Sequence, residues 1–258
     1  MIALRLTSGS GAFETMRVYG GQPFAFRRHA ERLGAAARSL GLPPPDPEHL
    51  RGAVDAVLQA NRLLEARVRV TLIGVPGGSR PDLIVAAGPI ATPSGAARVI
   101  TPDWPRNERA ANVGVKSTSY AENVRAFADA RARGADEAVF ANTRGALCEA
   151  TGSNVFVVDG GIVRTPPAGA GCLLGVTRAL VLELCRAHGI PAEEAAQPIS
   201  ALTDADEAFL TSTTREVQAI VAVDGRERSG PGPVTKELTA RFRDLVGHHL
   251  DPGPDLDP

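Results

Sequence analysis

Residues 135–158 read ADEAVFANTRGALCEATGSNVFVV, and they alternate strand-forming runs with turn residues. EAVFAN and ALCEA flank a Thr143-Arg144-Gly145 turn, which predicts a pair of strands. NVFVVDGGIVRT continues as a hairpin with its turn at Asp159–Gly161. Short hairpin strands of this kind favour mixed, mostly antiparallel layers over a regular βαβ array, whose strands would be longer and wholly apolar.

The flanking sequence also alternates between strand and helix patterns. Upstream, a turn at Gly20-Gly21 predicts a hairpin, a helix runs from about Arg28 to Leu40, and PPPDPEHL opens a second helix. RVRVTLIGV, DLIVAAG, EAFLTS and VGVK (113–116) predict strands, and GVTRALVLELC and PVTKELTARF predict helices.

A further helix is predicted between these segments. Ser119 and Glu122 have the spacing of a capping box, and the apolar pattern that follows extends to about Arg133, with Gly134 as its end.

The fold class expected from this order is α/β (α+β) with two domains. GPIATPSGA has glycine and proline without periodicity, so we expect an interdomain linker there, and DPGPDLDP is too polar and proline-rich to pack. The predicted parts are a small N-terminal α/β domain (1–90), a linker (91–97), a larger C-terminal mixed-sheet domain (98–250) and a disordered tail (251–258).

Bulk composition excludes several classes of function. A net charge of -1 gives no electrostatic basis for binding nucleic acid or an anionic membrane, and no apolar run could cross a bilayer. The N-terminus has no signal-peptide pattern, and three widely spaced cysteines fit a reduced chain without a disulfide framework or zinc cluster. We therefore expect a cytoplasmic protein with no metal.

Lysine is rare in this chain. Only Lys116 and Lys236 stand beside 26 arginines, although lysine is the residue that can lose its proton and act as a nucleophile. Lys236 fits the polar face of the C-terminal helix. Lys116 follows a short apolar run, and composition alone leaves an ordinary surface lysine as likely an interpretation as a reactive amine.

Three further features, taken with Lys116, indicate a pyridoxal 5'-phosphate site. Glu149, between apolar strands, could keep a pyridine nitrogen protonated. The helix start at Gly175, with free N–H groups at Val176 and Thr177, could bind a phosphate. The hydroxyl-rich run 211–214 could add to the phosphate site.

Each of these features also has an ordinary structural interpretation. Glu149 could be a surface carboxylate, the helix start could be one like any other, and the hydroxyl run could be a solvated loop. GVKST is not a P-loop, because Val115 separates Gly114 from Lys116 and Arg109 occupies the place of the first glycine.

The chain resembles the class IV aminotransferases, which are pyridoxal phosphate enzymes of fold type IV. The similar pieces, in family order, are GAFETMRVYGGQPFAF, RHAERL, GVKSTSYAENV, ADEAVFANTRGALCEATGSNVFVV, TPPAGAGCLLGVTRA and FLTSTTREV. The resemblance implies a homodimer that acts on a small-molecule amine. Relatives carry further residues before the element that begins here at Gly9, so a small domain without its edge strand, or a chain that starts upstream, is expected.

The resemblance also implies the roles of individual residues. Lys116 would be the Schiff-base lysine and Glu149 the carboxylate at the ring nitrogen. Arg32, Val176, Thr177 and Thr213 would bind the phosphate. The other implied contacts are Leu174 against the cofactor ring and Thr214, Arg215 and Tyr120 on the substrate side.

Three functions remain open from the sequence, and the first of them, a lyase, is the one that we expect. The segments KSTSYAENV and LCEATGSNVFVV are most similar in sequence to bacterial 4-amino-4-deoxychorismate lyases, which release pyruvate and 4-aminobenzoate for folate biosynthesis. TSTTREV is similar to the D-amino acid aminotransferases, so a D-amino acid or branched-chain transaminase is the alternative. A pyridoxal phosphate-binding protein without catalysis is the third, and the pairing of Lys116 with Glu149 disfavours it.

Overall fold

The computed structural model describes residues 11–75, 81–90, 95–253 and 256. Gly9, part of the predicted linker and part of the predicted tail lie outside the described residues. The chain forms two compact units, and the domain bounds expected from the sequence stay a prediction. The first unit groups the described residues of Met1–Thr92, Val115–Tyr120 and His248–Pro252, and the second those of Pro93–Gly114, Ala121–Gly247 and Gly253–Pro258.

The first unit is built on a four-stranded antiparallel sheet and two helices. These elements are β1 (Gly11–Tyr19), β2 (Gln22–Pro23), β3 (Ala66–Ile73), β4 (Asp82–Gly88), α1 (Phe26–Ser39) and α2 (Pro47–Asn61). The strand order is β2-β1-β3-β4. Gly20 and Gly21 turn β1 into β2 with φ values of 56° and 82°, a conformation that glycine adopts without steric cost.

Alternation along the strands separates an apolar face of this sheet from a polar one. Met16 and Val18 of β1 and Val68 of β3 are buried against Leu33 of α1 and Val54 of α2. Each such side chain stabilises the fold by roughly 1.5–3 kcal/mol when fully buried. The opposite face carries the other side chains of β1 and β3, among them Phe13 and Arg69.

The second unit holds a nine-stranded mixed sheet with helices. Its strands are β5 (Ala97–Ile100), β6 (Glu137–Ala141), β7 (Leu147–Ala150), β8 (Asn154–Asp159), β9 (Ile162–Thr165), β10 (Ala192–Glu194), β11 (Glu207–Ser212), β12 (Glu216–Val223) and β13 (Arg226–Glu227). Its helices are α3 (Ala121–Ala132), α4 (Val176–Ala187), α5 (Ala201–Asp204) and α6 (Pro233–His248). The strand order is β10-β9-β8-β11-β12-β5-β6-β7, with β13 paired to β12.

The core of the second unit is held by pairs of apolar side chains on neighbouring strands. Phe156 of β8 lies opposite Phe209 of β11, and the two buried rings stack with centroids 4.9 Å apart. The carboxylate of Glu207, also on β11, accepts hydrogen bonds from the backbone N–H groups of Val234 and Thr235 and so caps α6 from outside the helix.

The structure confirms the predicted hairpins, the predicted helices and every predicted strand except one. VGVK (113–116) is not a strand: residues 111–114 form a turn, and Gly114 has a φ of 73°. The alternation of two valines with Gly114 and Lys116 resembles a strand over four residues, but the glycine reverses the chain instead. The helix after it begins at Ala121, one residue later than a capping box with Ser119 as the N-cap would place it.

Two further findings bear on the class of protein. No helix in the described ranges is long and apolar enough to cross a membrane. Cys148, Cys172 and Cys185 are free and buried, and burial raises the pKa of the Cys172 thiol to about 11. Thiols with so high a pKa are weak nucleophiles at neutral pH.

Candidate functional site

The segment that carries Lys116 pairs with the free edge of β1. Because β2 pairs only with Val18 and Tyr19, the start of β1 keeps one edge available. The backbone N–H of Phe13 donates to the Lys116 carbonyl at 2.9 Å, and Ser117 forms an isolated bridge with Ala12. Backbone hydrogen bonds therefore fix Lys116 at the edge of the small sheet.

The ring of Phe13 lies at the centre of the group that contains Lys116. The Lys116 Nζ is 4.6 Å from the ring centroid and the Arg69 guanidinium carbon is 3.6 Å from it. Tyr120 meets the same ring edge-on, with centroids 5.4 Å apart. An aromatic face attracts cations, so contact with this ring stabilises both positive groups.

Arg69 is a candidate site residue that the sequence analysis did not name. It is on β3, directly opposite Thr15 of β1, on the polar face of the sheet. Partial burial lowers its pKa, and no carboxylate in the described ranges forms an ion pair with it. The signal in the sequence was the alternation RVRV, which places Arg67 and Arg69 on the polar face of a strand.

Arg32 is held by a buried carboxylate on the other face of β1. Its Nε and Nη2 donate to the two oxygens of Glu14 at 2.7 and 2.8 Å, and the Nδ1 of His29 lies 2.7 Å from Glu14 Oε2. Glu14 is 1% exposed. Burial by itself raises its pKa, but the charge and hydrogen bonds of Arg32 and His29 hold that pKa well below its usual range.

In the second unit, Glu149 is oriented by a backbone N–H and an arginine. Its Oε2 accepts a hydrogen bond from the Leu173 N–H at 2.9 Å, and its Oε1 lies 3.8 Å from Arg106 Nη2. The Arg106 guanidinium stacks over the Phe140 ring at 4.4 Å and donates to Asn123 Oδ1 at 3.3 Å. The carboxylate is thus fixed rather than mobile on a surface.

The start of α4 is shaped for close approach to its backbone. Val176 and Thr177 are buried, and the first N–H groups of a helix have no acceptor within the helix. Asn154 donates to the Leu173 carbonyl at 2.6 Å, and its Oδ1 lies so close to Gly175 that any Cβ there would collide with it. A glycine is therefore required before this helix.

The hydroxyl-rich run spans the end of β11 and the turn after it. Thr213 and Thr214 lie in the turn and are half-buried. Thr211 pairs with Asn154 across the sheet, and its buried hydroxyl has no hydrogen-bond partner among the described residues. An unsatisfied buried hydroxyl suits a bound polar group, and its strand partner Asn154 contacts Gly175 before α4.

Arg215 at the end of this turn is tied to protein groups. Its Nε is 2.8 Å from Glu137, its Nη1 donates to Gln218 at 2.5 Å and its Nη2 donates to the carbonyl of Asp136 at 3.2 Å. Leu174, before α4, is 49% exposed and so available to pack against a ligand.

The residues expected from the sequence fall into two groups, and the role of each one stays a prediction. One group is in the first unit: Arg32, Lys116 and Tyr120. The other is in the second unit: Glu149, Leu174, Val176, Thr177, Thr213, Thr214 and Arg215. Sequence reasoning missed Arg69, Arg106, Asn123 and Asn154, whose contacts only the folded chain reveals.

A family model for amino-transferase class IV matches residues 11–223, which include both groups. This chain belongs to the class IV aminotransferases. Proteins of this family use pyridoxal 5'-phosphate, and solved structures similar to this chain include forms with that cofactor bound. In the second unit, the fixed carboxylate at Glu149 and the helix start at Gly175 have chemistry that suits this group, and in the first unit the amine at Lys116 does.

Proteins and solved structures with different names are similar to this chain. A Methanocaldococcus jannaschii protein provisionally named branched-chain-amino-acid aminotransferase is 32% identical over 93% of this chain and 88% of its own. A D-alanine aminotransferase of Bacillus licheniformis is 29% identical over 92% and 88%. A Legionella pneumophila crystal structure, provisionally named 4-amino-4-deoxychorismate lyase, has a TM-score of 0.88 and 28% identity, covering 93% and 92%.

Proposed function

We propose that this enzyme is an amino acid transaminase whose reactive amine is Lys116. The observation that carries the proposal is the fixed place of Lys116 on the edge of β1, over the Phe13 ring that Arg69 also contacts. An amine held by backbone pairing, on the same aromatic ring as a second cation without a carboxylate partner in the described ranges, suits an amino acid that brings its own carboxylate.

The other residues then have distinct tasks. When bound, pyridoxal phosphate supplies an electron sink for the carbon that bears the amino group. Lys116 holds the cofactor and, once released from it, moves the proton at that carbon, for which it must be neutral. Glu149 keeps a proton on the ring nitrogen, and Leu174 packs against the ring.

We propose for the phosphate-binding residues the roles that the family resemblance implies. Val176 and Thr177 offer backbone N–H groups with the positive end of the α4 dipole behind them. Thr213 adds a hydroxyl and Arg32 a charge, and the carboxylate of Glu14 orients Arg32. Thr214, Arg215 and Tyr120 belong to the substrate side of the proposal.

A second candidate is 4-amino-4-deoxychorismate lyase. The Legionella structure favours it, as does the similarity of KSTSYAENV to bacterial lyases. Lys116 would take a ring proton, and loss of the enolpyruvyl group as pyruvate would leave 4-aminobenzoate. The aminotransferase names of the similar curated proteins support transamination more strongly.

One assay separates the candidates. The purified protein with added cofactor is incubated with aminodeoxychorismate alone, and separately with L-leucine or D-alanine plus 2-oxoglutarate. Glutamate formed from an amino acid donor supports transamination, whereas pyruvate formed from aminodeoxychorismate without a keto acid identifies the lyase. A protein that binds the cofactor and turns over none of these substrates would overturn both.

The two lysines of the chain give a matched pair for testing the reactive amine. Lys116→Ala should abolish both turnover and the visible absorbance of the lysine-bound cofactor, and Lys236→Ala should change neither. Borohydride reduction followed by peptide mass spectrometry should place the cofactor on Lys116 alone. Cofactor found on Lys236, or visible absorbance that survives in Lys116→Ala, would refute the role.

The proposal includes a homodimer in the cytoplasm, as the family resemblance implies. Light scattering after size-exclusion chromatography should give twice the 26.9 kDa mass of one chain. A monomer with full activity would show that one chain completes the site.

A further inference from the structure

Glu137, at the start of β6, is a buried carboxylate that the proposed reaction does not use. It is 2% exposed. Its Oε1 accepts from the Gly152 N–H at 2.5 Å and from the Thr151 hydroxyl at 3.2 Å, and its Oε2 accepts from the Ser153 hydroxyl at 2.9 Å. The Nε of Arg215 is 2.8 Å from Oε2. A buried charge is tolerated only when it is paired and hydrogen-bonded, and Glu137 has four such partners.

Three of these partners form the turn 151–153 between β7 and β8. The strand before the turn carries Glu149, and the strand after it begins with Asn154. Both of these side chains bind the backbone of Leu173, one at its N–H and the other at its carbonyl. The position of this turn therefore sets the carboxylate of Glu149 and the approach to α4 together.

The fourth partner belongs to a different loop. Arg215 ends the turn that carries Thr213 and Thr214, and its backbone N–H donates to the Ser212 hydroxyl at 3.2 Å. Its guanidinium bonds Gln218 at the beginning of the next strand. Arg215 therefore holds both ends of its own turn and fixes them to Glu137.

A second chain of contacts links the same turn to Glu149. Asn123 donates to the Thr151 carbonyl at 2.7 Å and accepts from Arg106, whose other nitrogen faces Glu149. The polar contacts lead from Glu149 to the turn of Thr213, with an ion pair at 3.8 Å between Arg106 and Glu149 as their longest step. Polar groups connected in this way move together, because shifting one of them leaves its buried partner unsatisfied.

We infer that Glu137 is a positioning residue, which sets the Glu149 strand and the Thr213–Arg215 turn in register with one another for the reaction. The inference rests on the proposed function, since it assumes that Glu149 and Thr213 contact the cofactor. Glu137 itself touches no reacting atom. Its carboxylate ties together two loops that local sequence would leave independent.

The test compares Glu137→Gln with Glu207→Gln. Glu207 is a matched control, because it is also a buried carboxylate that accepts backbone N–H groups, but it serves the start of α6 and none of the proposed site residues. Each variant is assayed at the same interval below its own thermal unfolding midpoint. The measurements are the pyridoxal phosphate dissociation constant, kcat and KM.

We expect Glu137→Gln to weaken cofactor binding and to lower kcat/KM by about 10- to 100-fold, mostly through kcat, since small misplacements of catalytic groups cost that much. Glu207→Gln should lose stability without these changes. Glu137→Asp, which keeps the charge, should restore part of the loss. Unchanged constants in a folded Glu137→Gln, or equal losses in Glu207→Gln, would overturn the inference.

Ser153→Ala keeps the inference testable if Glu137→Gln does not fold. It removes a single hydrogen bond to Glu137 and should weaken cofactor binding in the same direction by a smaller factor, and no change would count against the inference. The cofactor dissociation constant also separates the two proposals. A wild-type protein that turns over no substrate sinks the proposed function, whereas the effect of Glu137→Gln on cofactor affinity still decides the role of Glu137.

Discussion

Two buried carboxylates, one in each compact unit, differ in what they hold. Glu14 and Glu137 are 1% and 2% exposed, and each binds an arginine expected at the site, Arg32 and Arg215. A lone arginine side chain is long and flexible, so a fixed carboxylate behind it reduces the entropy lost when it binds a ligand.

The difference between the two lies in where their partners come from. Glu14 binds side chains of one helix, His29 and Arg32, which lie on the same face of α1 because they are three residues apart. Glu137 binds one backbone N–H and three side chains from two separate turns. Loss of Glu14 should therefore weaken the packing of α1. Loss of Glu137 should instead disturb the alignment of two loops.

The largest change in unfolding free energy is expected from a substitution of Glu14, and its size tests the comparison. Glu14→Gln leaves Arg32 without its buried counter-charge, which costs about 3–5 kcal/mol of unfolding free energy. Urea denaturation followed by circular dichroism measures it, with the exposed Glu31→Gln on the same helix as a control. A loss below about 1 kcal/mol would mean that the pair contributes no more than a surface contact.

A smaller effect is expected when the charge of Arg32 is kept but its shape is changed. Arg32→Lys cannot form the two-pronged contact with Glu14, so unfolding free energy should fall by about 1–2 kcal/mol. Cofactor affinity should fall with it, as measured by titration of pyridoxal phosphate into the apoenzyme. Arg38→Lys, exposed on the same helix, should change neither, and equal behaviour of the two variants would argue against a special role for Arg32.

The smallest effect is a pH dependence of stability that comes from His29 and Glu14. Burial lowers the pKa of His29, and its hydrogen bond to Glu14 offsets part of that change. The unfolded chain therefore binds a proton below about pH 6.5 while the folded chain does not yet do so, and stability falls as the pH falls. The slope can reach about 1.4 kcal/mol per pH unit for one proton.

His29→Gln should remove this dependence between about pH 7 and about pH 5.5. In this variant, stability should still fall at lower pH because of Glu14. The folded protein lowers the pKa of the Glu14 carboxyl, and this stabilises the fold at any pH above the ordinary pKa of a glutamate. The stabilisation is lost as the pH falls toward the pKa of the folded state. Unfolding free energies at the two pH values, for the wild type and the variant, measure the difference. Equal slopes would show that His29 does not titrate in this range.

Local pattern was sufficient for most of the secondary structure and for naming the first candidate site residues. The Gly20-Gly21 turn, the helix start at Gly175 and the β8–β9 hairpin depend on residues adjacent in the chain, so their signals are local. Lys116 and Glu149 were found through rarity and motif. The single wrong strand, VGVK, shows the limit, since four residues of alternation are too few to outweigh one glycine.

The sequence by itself determined the order of helices and strands, the family resemblance and the amine at Lys116. Only the tertiary structure decided that the Lys116 segment joins the sheet of the first unit, that Arg69 lies over the Phe13 ring, and which carboxylates are buried beside which arginines. Alternation tells which face of a strand a residue occupies. It cannot tell which distant residue will meet it there, because that choice depends on how the whole chain satisfies its buried charges.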